Sequence, residues 1–187
     1  MNEQTMLQTI IKERRTIRDF IDRPVPLTLI QELLNIAVWA PNHGLREPWR
    51  FVMFEGEGKD VLINGSLESL SNNLGENYKE KLKQYISKVP LIISVILPRD
   101  SNERVWEEDI CAAASMIQNF QLLTWEKEIG VLWKTGEILS HPTIRKVHEV
   151  KENEKIIGML FLGYFDKTPK KMKRKRFEEL TTFVTKK

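Results

Sequence analysis

The run Leu91-Ile-Ile-Ser-Val-Ile-Leu97, bounded by Pro90 and Pro98, decides the fold class. It is rich in β-branched residues and too short for a typical helix, so it predicts a buried strand at the centre of a sheet. It is also the longest apolar run in the chain, well below the roughly 20 residues that cross a bilayer. We therefore expect no membrane span.

Extended and helical patterns alternate on both sides of this strand. Further extended segments are predicted at residues 51–54, 130–132 and 156–162, the second of which leads into a turn at 133–136. Helical spacing predicts a helix from Met6 to about Arg14, one that opens on a Thr28/Gln31 capping box and ends before Pro41, and one at 110–122. The polar stretch 65–88 suits either helices or a mobile excursion. Together these patterns predict layers of helices around a mixed sheet.

The composition bounds the class of protein. With 187 residues, 41% hydrophobic and 29% charged, the chain suits one domain spanning residues 1–187. Its N-terminus has no secretory leader, which predicts a cytoplasmic protein. The single cysteine, Cys111, excludes an internal disulfide, and with three histidines it leaves little for a metal site, so we expect none. We expect Cys111 to be a buried small apolar residue, and His141 and His148 to lie at the surface.

The positive charge is concentrated near the C-terminus. Seven of the ten residues at 167–176 are Lys or Arg, whereas the rest of the chain has 22 basic and 26 acidic residues. Such a balance argues against a wholly basic nucleic-acid-binding surface. The segment is either a solvated strip or a site for a nucleic acid, an anionic lipid or a bound phosphate, and it lacks the interleaved aromatics that single-strand binding uses.

The segment Arg14-Arg15-Thr16-Ile17-Arg18 follows the first predicted helix and suits phosphate chemistry. Guanidinium groups offer a planar fork of donors to phosphate oxygens, and a hydroxyl can complete the set. The alternative is a solvated, charged helix end. Spacing alone does not separate these two interpretations.

Two further segments suit a heterocyclic ligand. The loop after Trp39 contains His43, which can hydrogen-bond a ring, and Trp39 or Trp49 can cover one; alternatively Trp49 is core and His43 caps a turn. In the second segment, 130–136, glycines flank Trp133, Lys134 and Thr135, so that backbone can approach a ligand. Its alternative is a strand-to-turn corner with an exposed lysine.

Taken in chain order, residues 14–20, 40–51, 130–136 and 174–180 resemble the nitroreductase family of FMN-dependent oxidoreductases. The resemblance spans nearly the whole chain and is to the compact branch of that family. It implies an α+β fold with a mainly antiparallel sheet flanked by helices, and an intertwined homodimer with FMN at two interface sites. Many relatives carry Asn and Gln where this loop has Leu45 and Glu47, so substrate choice stays open.

The resemblance also implies roles for particular residues. The FMN phosphate and ribityl chain would be held by Arg14, Arg15 and Thr16, with Arg18, Arg174 and Arg176 as further cations. Trp39 and His43 would reach the flavin from the partner subunit. The later flavin-contacting turn corresponds to Trp133, Lys134, Thr135 and Gly136, with Lys134 as the cation that tunes the flavin.

The expected activity is reduction of nitroaromatic, quinone or similar planar acceptors by a ping-pong cycle with NADH or NADPH. Since the flavin would carry the hydride, no catalytic side chain is predicted. The expected partners are a second copy of the chain and a small-molecule acceptor, without nucleic acid or membrane. A non-catalytic flavin-binding sensor is the alternative, and a basic-tailed nucleic-acid-associated protein ranks below it.

Overall fold

Helices and strands alternate along the computed structural model, which describes residues 5–70 and 75–185. In chain order the elements are α1 (Met6–Glu13), α2 (Leu27–Ala37), β1 (Arg50–Phe54), α3 (Gly58–Glu68), α4 (Glu76–Ser87), β2 (Leu91–Pro98), α5 (Glu103–Glu126), β3 (Ile129–Lys134), α6 (Pro142–Val147), β4 (Glu154–Tyr164) and α7 (Phe177–Leu180). Short 3-10 turns lie at His43–Leu45 and Glu137–Ser140.

The strands form an antiparallel sheet in the order β1-β2-β4-β3. Strand β2 lies between β1 and β4 and is buried from Leu91 to Leu97, which confirms the prediction that it is central. Within the described residues the parallel component is one isolated bridge, between Thr16 and Val131 on the outer side of β3. The α+β class is confirmed, and the sheet is antiparallel apart from that bridge.

Helices cover both faces of the sheet because alternate strand residues point to opposite sides. Leu91, Ile93 and Val95 pack in the apolar cluster that α2 and α5 cover. Ile92 and Ile96 belong to the cluster under α3, α4 and α6. Helices α3 and α4 account for most of the polar stretch 65–88, so the helical alternative for that stretch is the correct one. Its residues 71–74, including Leu74, lie outside the described part of the chain.

The long helix α5 runs across one face of the sheet. Its 24 residues correspond to about 36 Å at 1.5 Å per residue. Ala113, Met116, Ile117 and Phe120 recur at helical spacing and are fully buried. The prediction for Cys111 was wrong: the thiol side chain is exposed because it lies on the opposite side of the helix from this apolar stripe.

Two other local predictions were wrong. Helix α2 begins at Leu27 after Pro26, without a side-chain cap, so Thr28 lies inside the first turn and forms no capping box with Gln31. His148 is fully buried rather than at the surface. Both of its ring nitrogens have partners there: Nδ1 lies 2.7 Å from the Ile144 carbonyl oxygen, and Nε2 lies 2.8 Å from the Ser94 hydroxyl. Hydrogen bonding makes this burial tolerable.

Candidate functional site

Residues 14–18 leave helix α1 and run along the outer edge of β3. The Ile17 N–H donates to the carbonyl of Val131 (3.3 Å), beside the Thr16–Val131 bridge. Gly130 permits this approach, since a Cβ at that position would lie 2.4 Å from Cγ1 of Ile17. The close packing of Ile17 holds this stretch of backbone against the sheet edge.

Arg14 and Arg15 begin this segment, and both are partly buried. Within the described chain, the Nε atoms of both are buried and have no hydrogen-bond partner. Burial lowers the pKa of Arg14, and the positive charges of Arg15 and Arg174 lower it further. No described carboxylate lies within ion-pair distance of Arg14. Glu13 is the one carboxylate within ion-pair distance at this end of α1 in the described chain, 4.0 Å from Nη2 of Arg15 and also bound to Lys171. Because Arg14, Arg15 and Arg174 together outnumber it, the arrangement suits an anionic ligand.

Arg15 also closes the end of helix α1. Its Nη1 donates to the carbonyl oxygens of Lys12 (2.8 Å) and Arg14 (2.7 Å). These bonds satisfy terminal acceptors of the helix. The expectation of a charged helix end therefore describes part of what Arg15 does, while its buried Nε has no hydrogen-bond partner in the described chain.

The basic segment returns to this end of α1. Lys171 donates a hydrogen bond to Glu13, and Arg174 lies close enough to depress the pKa of Arg14. The structure thus brings Arg174 to the arginine pair. It does not bring Arg176 there: that exposed side chain lies 3.6 Å from a carboxylate oxygen of Glu178.

Arg18 is also separate from the arginine pair. It is exposed and lines an open groove with Asp19 and Lys167. Arg18 and Asp19 both influence the pKa of Tyr85, whose burial is the main cause of its raised value. Arg18 therefore lies near Tyr85 on helix α4, and not beside Arg14.

Trp133 and Lys134 end β3 instead of forming the predicted turn, so the turn begins at Thr135. Strand alternation sends their side chains to opposite faces of the sheet. The indole of Trp133 packs with the α5-side cluster, and its buried Nε1 has no partner in the described chain. It lies over Gly158, where a Cβ would be 2.1 Å from that nitrogen. Gly136 follows with a φ of 143°, a conformation that favours glycine.

Lys134 points to the other face. Its Nζ lies 5.5 Å from the ring centre of Phe161 and 5.8 Å from that of Tyr85. Among the residues that the structure describes, it has neither a hydrogen-bond acceptor nor a carboxylate partner, and burial lowers its pKa. A half-buried cation held only by aromatic faces is available for a ligand charge.

Trp39 and His43 lie away from the arginine pair within one chain. Trp39 is 86% exposed, and His43 lines a groove with Cys111 on the first half of α5. Helix α1, which precedes Arg14, packs instead near Leu122. The 11-residue separation of these two α5 positions corresponds to about 16 Å along the helix. The structure therefore does not unite these aromatic residues with Arg14 in a single subunit.

The loop that carries His43 is strained and clamped. Leu45 and Glu47 both have positive φ angles, 51° and 44°, which cost energy for residues other than glycine. Arg46 donates through Nε (3.0 Å) and Nη2 (2.8 Å) to buried Asp109 on α5. The sequence patterns did not reveal this pair, because 63 positions separate the two residues. Trp49, the alternative ring cover, is part-buried against the core.

Across 5–70 and 75–185, no group of three His, Cys, Asp or Glu side chains is arranged to hold a metal ion. No helix in those ranges has the length and apolar character needed to span a bilayer.

Comparison with known proteins identifies the family. The sequence model of the Nitroreductase family matches residues 11–164. The chain belongs to the nitroreductase family. YfhC of Bacillus subtilis (strain 168), provisionally named an NAD(P)H nitroreductase, is 37% identical over 178 residues, which cover 93% of this chain and 92% of that protein. Nitroreductase membership makes the chain an oxidoreductase enzyme.

Solved structures of nitroreductases share its fold. A nitroreductase-like family protein from Bacillus cereus superposes with a TM-score of 0.93 at 35% identity, and 98% of each chain is covered. A nitroreductase from Desulfovibrio desulfuricans, solved in complex with FMN, gives a TM-score of 0.75 at 21% identity, with 96% of each chain covered. The four-stranded antiparallel sheet with helices on both faces is thus a nitroreductase fold.

Proposed function

We propose that this nitroreductase binds FMN and transfers reducing equivalents from NADH or NADPH to nitroaromatic, quinone or similar planar acceptors in a ping-pong cycle. One observation carries the proposal. The positive charges of Arg14 and Arg174 lie close together with no carboxylate partner in the described chain, beside buried guanidinium Nε atoms that have no hydrogen-bond partner. When bound, FMN would supply the hydride chemistry, and the chain would bind and orient the ligands. Residues 1–187 form one FMN-binding domain in this proposal, with the cytoplasmic location that the sequence predicts.

The arginine end of the site would hold the FMN phosphate. Arg14, Arg15 and Arg174 are the cations that the fold gathers there, and the Thr16 hydroxyl follows directly in the chain. Buried guanidinium donors without partners cost energy, so a phosphate that accepts their hydrogen bonds stabilises the folded chain. Arg18 and Arg176 stay in the proposal as outer cations.

The other end of the same sheet edge would receive the flavin ring. From the Thr16–Val131 bridge to Trp133 the strand advances two residues, about 7 Å. The Trp133 N–H is a donor without a partner, while Thr135 and Gly136 expose backbone at the following turn. Lys134 points to the opposite face of the sheet from Trp133, so it would act on the reduced ring through its charge and not through contact beside the indole. It would favour negative charge on that ring, because its own charge has no counter-ion among the described residues.

Trp39 and His43 would act on the flavin of a partner subunit, in a homodimer. Their separation from Arg14 along α5 supports contributions from two chains. The chain also carries apolar surface that it does not cover: helix α1 has no buried residue, and on the C-terminal segment Phe177, Leu180, Phe183 and Val184 are each at least 65% exposed. Apolar exposure on this scale is typical of an interface.

The test is the absorbance spectrum of the purified protein, followed by anaerobic titration with NADH and with NADPH and by light scattering for mass. A yellow dimer that bleaches with either nucleotide supports the enzyme. Yellow protein that never bleaches would support a flavin sensor instead. Colourless protein whose affinity for a polynucleotide falls steeply with salt would support nucleic-acid binding. A monomer that refuses excess FMN overturns the proposal.

Lys134→Met tests the flavin-tuning role separately. The substitution keeps an unbranched side chain but removes the charge. We expect weaker FMN binding or a lower flavin reduction potential. Unchanged values of both would remove Lys134 from the site.

A further inference from the structure

We propose that the basic segment 167–176 selects the reductant, by attracting a nicotinamide dinucleotide that carries a 2′-phosphate, so that NADPH is used in preference to NADH. The inference rests on the proposed function, since it concerns the molecule that reduces the flavin. It goes beyond that function because it assigns nucleotide specificity to lysines of the segment that the flavin site does not use.

The basic segment lies beside the proposed flavin site. Lys171 is hydrogen-bonded to Glu13 at the end of α1, and three residues later Arg174 depresses the pKa of Arg14. Lys173 lies between these two residues, directly before Arg174. The positive charge of the segment is therefore local to the site and is not spread over the surface.

The segment holds more charge than the flavin phosphate can offset. Its carboxylate partners in the described chain are Glu13, on Lys171, and Glu178, near Arg176. The four lysines without an ion pair in that part of the chain are Lys167, Lys170, Lys173 and Lys175. A phosphate brings about two negative charges, which Arg14, Arg15 and Arg174 already offset. The remaining lysines would therefore attract a second anion.

The 2′-phosphate is the group by which NADPH differs from NADH, and it adds about two negative charges. Two lysines at about 7 Å from such a group, in water with partial salt screening, give a preference of about tenfold. The preference should vanish at high salt, since exposed charges beyond a Debye length are screened. An extended polynucleotide is a poorer fit, because no aromatic residue interrupts the segment to stack a base.

The test compares Lys173→Ser/Lys175→Ser with the control Lys146→Ser/Lys151→Ser in the FMN-loaded enzyme. The control removes the same charge from two exposed lysines that come before β4, whereas the basic segment comes after it. The 11 residues of β4 span about 36 Å, so the control residues lie far from the basic segment. At low salt we expect kcat/KM for NADPH to fall about tenfold in the first variant and kcat/KM for NADH to fall less than twofold. Calorimetry should show NADP+ binding weakened by a similar factor and NAD+ binding nearly unchanged. The control should resemble wild type.

Equal losses with both nucleotides, or equal losses in the control, would overturn the inference. So would NADP+ binding that is insensitive to salt, or a polynucleotide that loses affinity in the first variant while NADP+ does not. Wild-type protein that binds no FMN would overturn the proposed function. Calorimetry with NADP+ and NAD+ on that same protein would still decide whether the basic segment distinguishes them.

Discussion

Gly158→Ala should disturb the flavin end of the site through one added methyl group. Gly158 has no unusual backbone angle, so alanine is permitted there by the chain itself. The new Cβ, however, would lie 2.1 Å from Nε1 and 2.6 Å from Cδ1 of Trp133. Ordinary contact begins at 3.4 Å, so the indole must move away by at least 1.3 Å.

The displacement sets the expected magnitudes. Overpacking of this kind costs about 1–3 kcal/mol of unfolding free energy. Loss of a large aromatic contact should weaken FMN binding about tenfold, equivalent to about 1.4 kcal/mol. A misplacement near 1 Å at a reaction centre can lower kcat/KM on the order of 100-fold. Urea unfolding, FMN fluorescence titration and steady-state kinetics measure these three effects.

Gly163→Ala is the matched control. A Cβ there would lie 2.8 Å from Cδ of Pro90 and 2.9 Å from Cβ of Phe20, five residues along β4 from Gly158. It should lower stability by a similar amount without moving the Trp133 indole, so FMN binding should weaken less than in Gly158→Ala. If both variants lose FMN equally, the loss does not come from Trp133. If Gly158→Ala binds FMN like wild type, Trp133 does not contact the flavin.

Three other substitutions test the packing. Leu45→Gly should raise the unfolding free energy by up to about 1 kcal/mol, because Leu45 is 82% exposed and its φ of 51° is strained; a loss above 1 kcal/mol on urea unfolding would contradict this. Glu154→Gln should destabilise by about 2 kcal/mol near pH 7, since hydrogen bonds from Arg50 hold the pKa of Glu154 at about 2. That stability is present above the ordinary pKa of 4.5 and is lost as the pH falls toward about 2. The unfolding free energies of wild type and Glu154→Gln should therefore converge as the pH is lowered. A constant difference between them would exclude the ion pair as the cause. Burial lowers the pKa of His148 from 6.5, so below that pH the unfolded chain binds a proton that the folded chain does not. The unfolding free energy of wild type should therefore exceed that of His148→Gln by less when urea unfolding is repeated below pH 6.5.

Much of the fold followed from local pattern. The apolar run in β2 and the inward positions of α2, namely Ile30, Leu33, Leu34 and Ala37, are buried as their spacing predicts. Helix α1 ends at Glu13, close to the expected boundary. These features depend on periodicity within a few turns or strand positions, which the sequence displays directly.

The errors came where distant residues decide the outcome. His148 is buried because Ser94, from the central strand, supplies a hydrogen bond. Strand β3 extends through Trp133 and Lys134 because β4 pairs with it along its whole length, which separates two side chains that were expected at one turn. Gly158 could have been noticed, since a glycine that interrupts a strand often marks close approach of another group.

By itself, the sequence determined the alternation of helices and strands, the central strand and the basic segments, because each depends on neighbours along the chain. Only the tertiary structure decided that Arg174 lies near enough to Arg14 to lower its pKa while Arg176 lies beside Glu178, and that Arg46 clamps the His43 loop to Asp109. These arrangements join positions far apart in the chain. Their geometry depends on how the packed helices and the sheet edge bring the backbone together, so residue spacing along the sequence does not encode it.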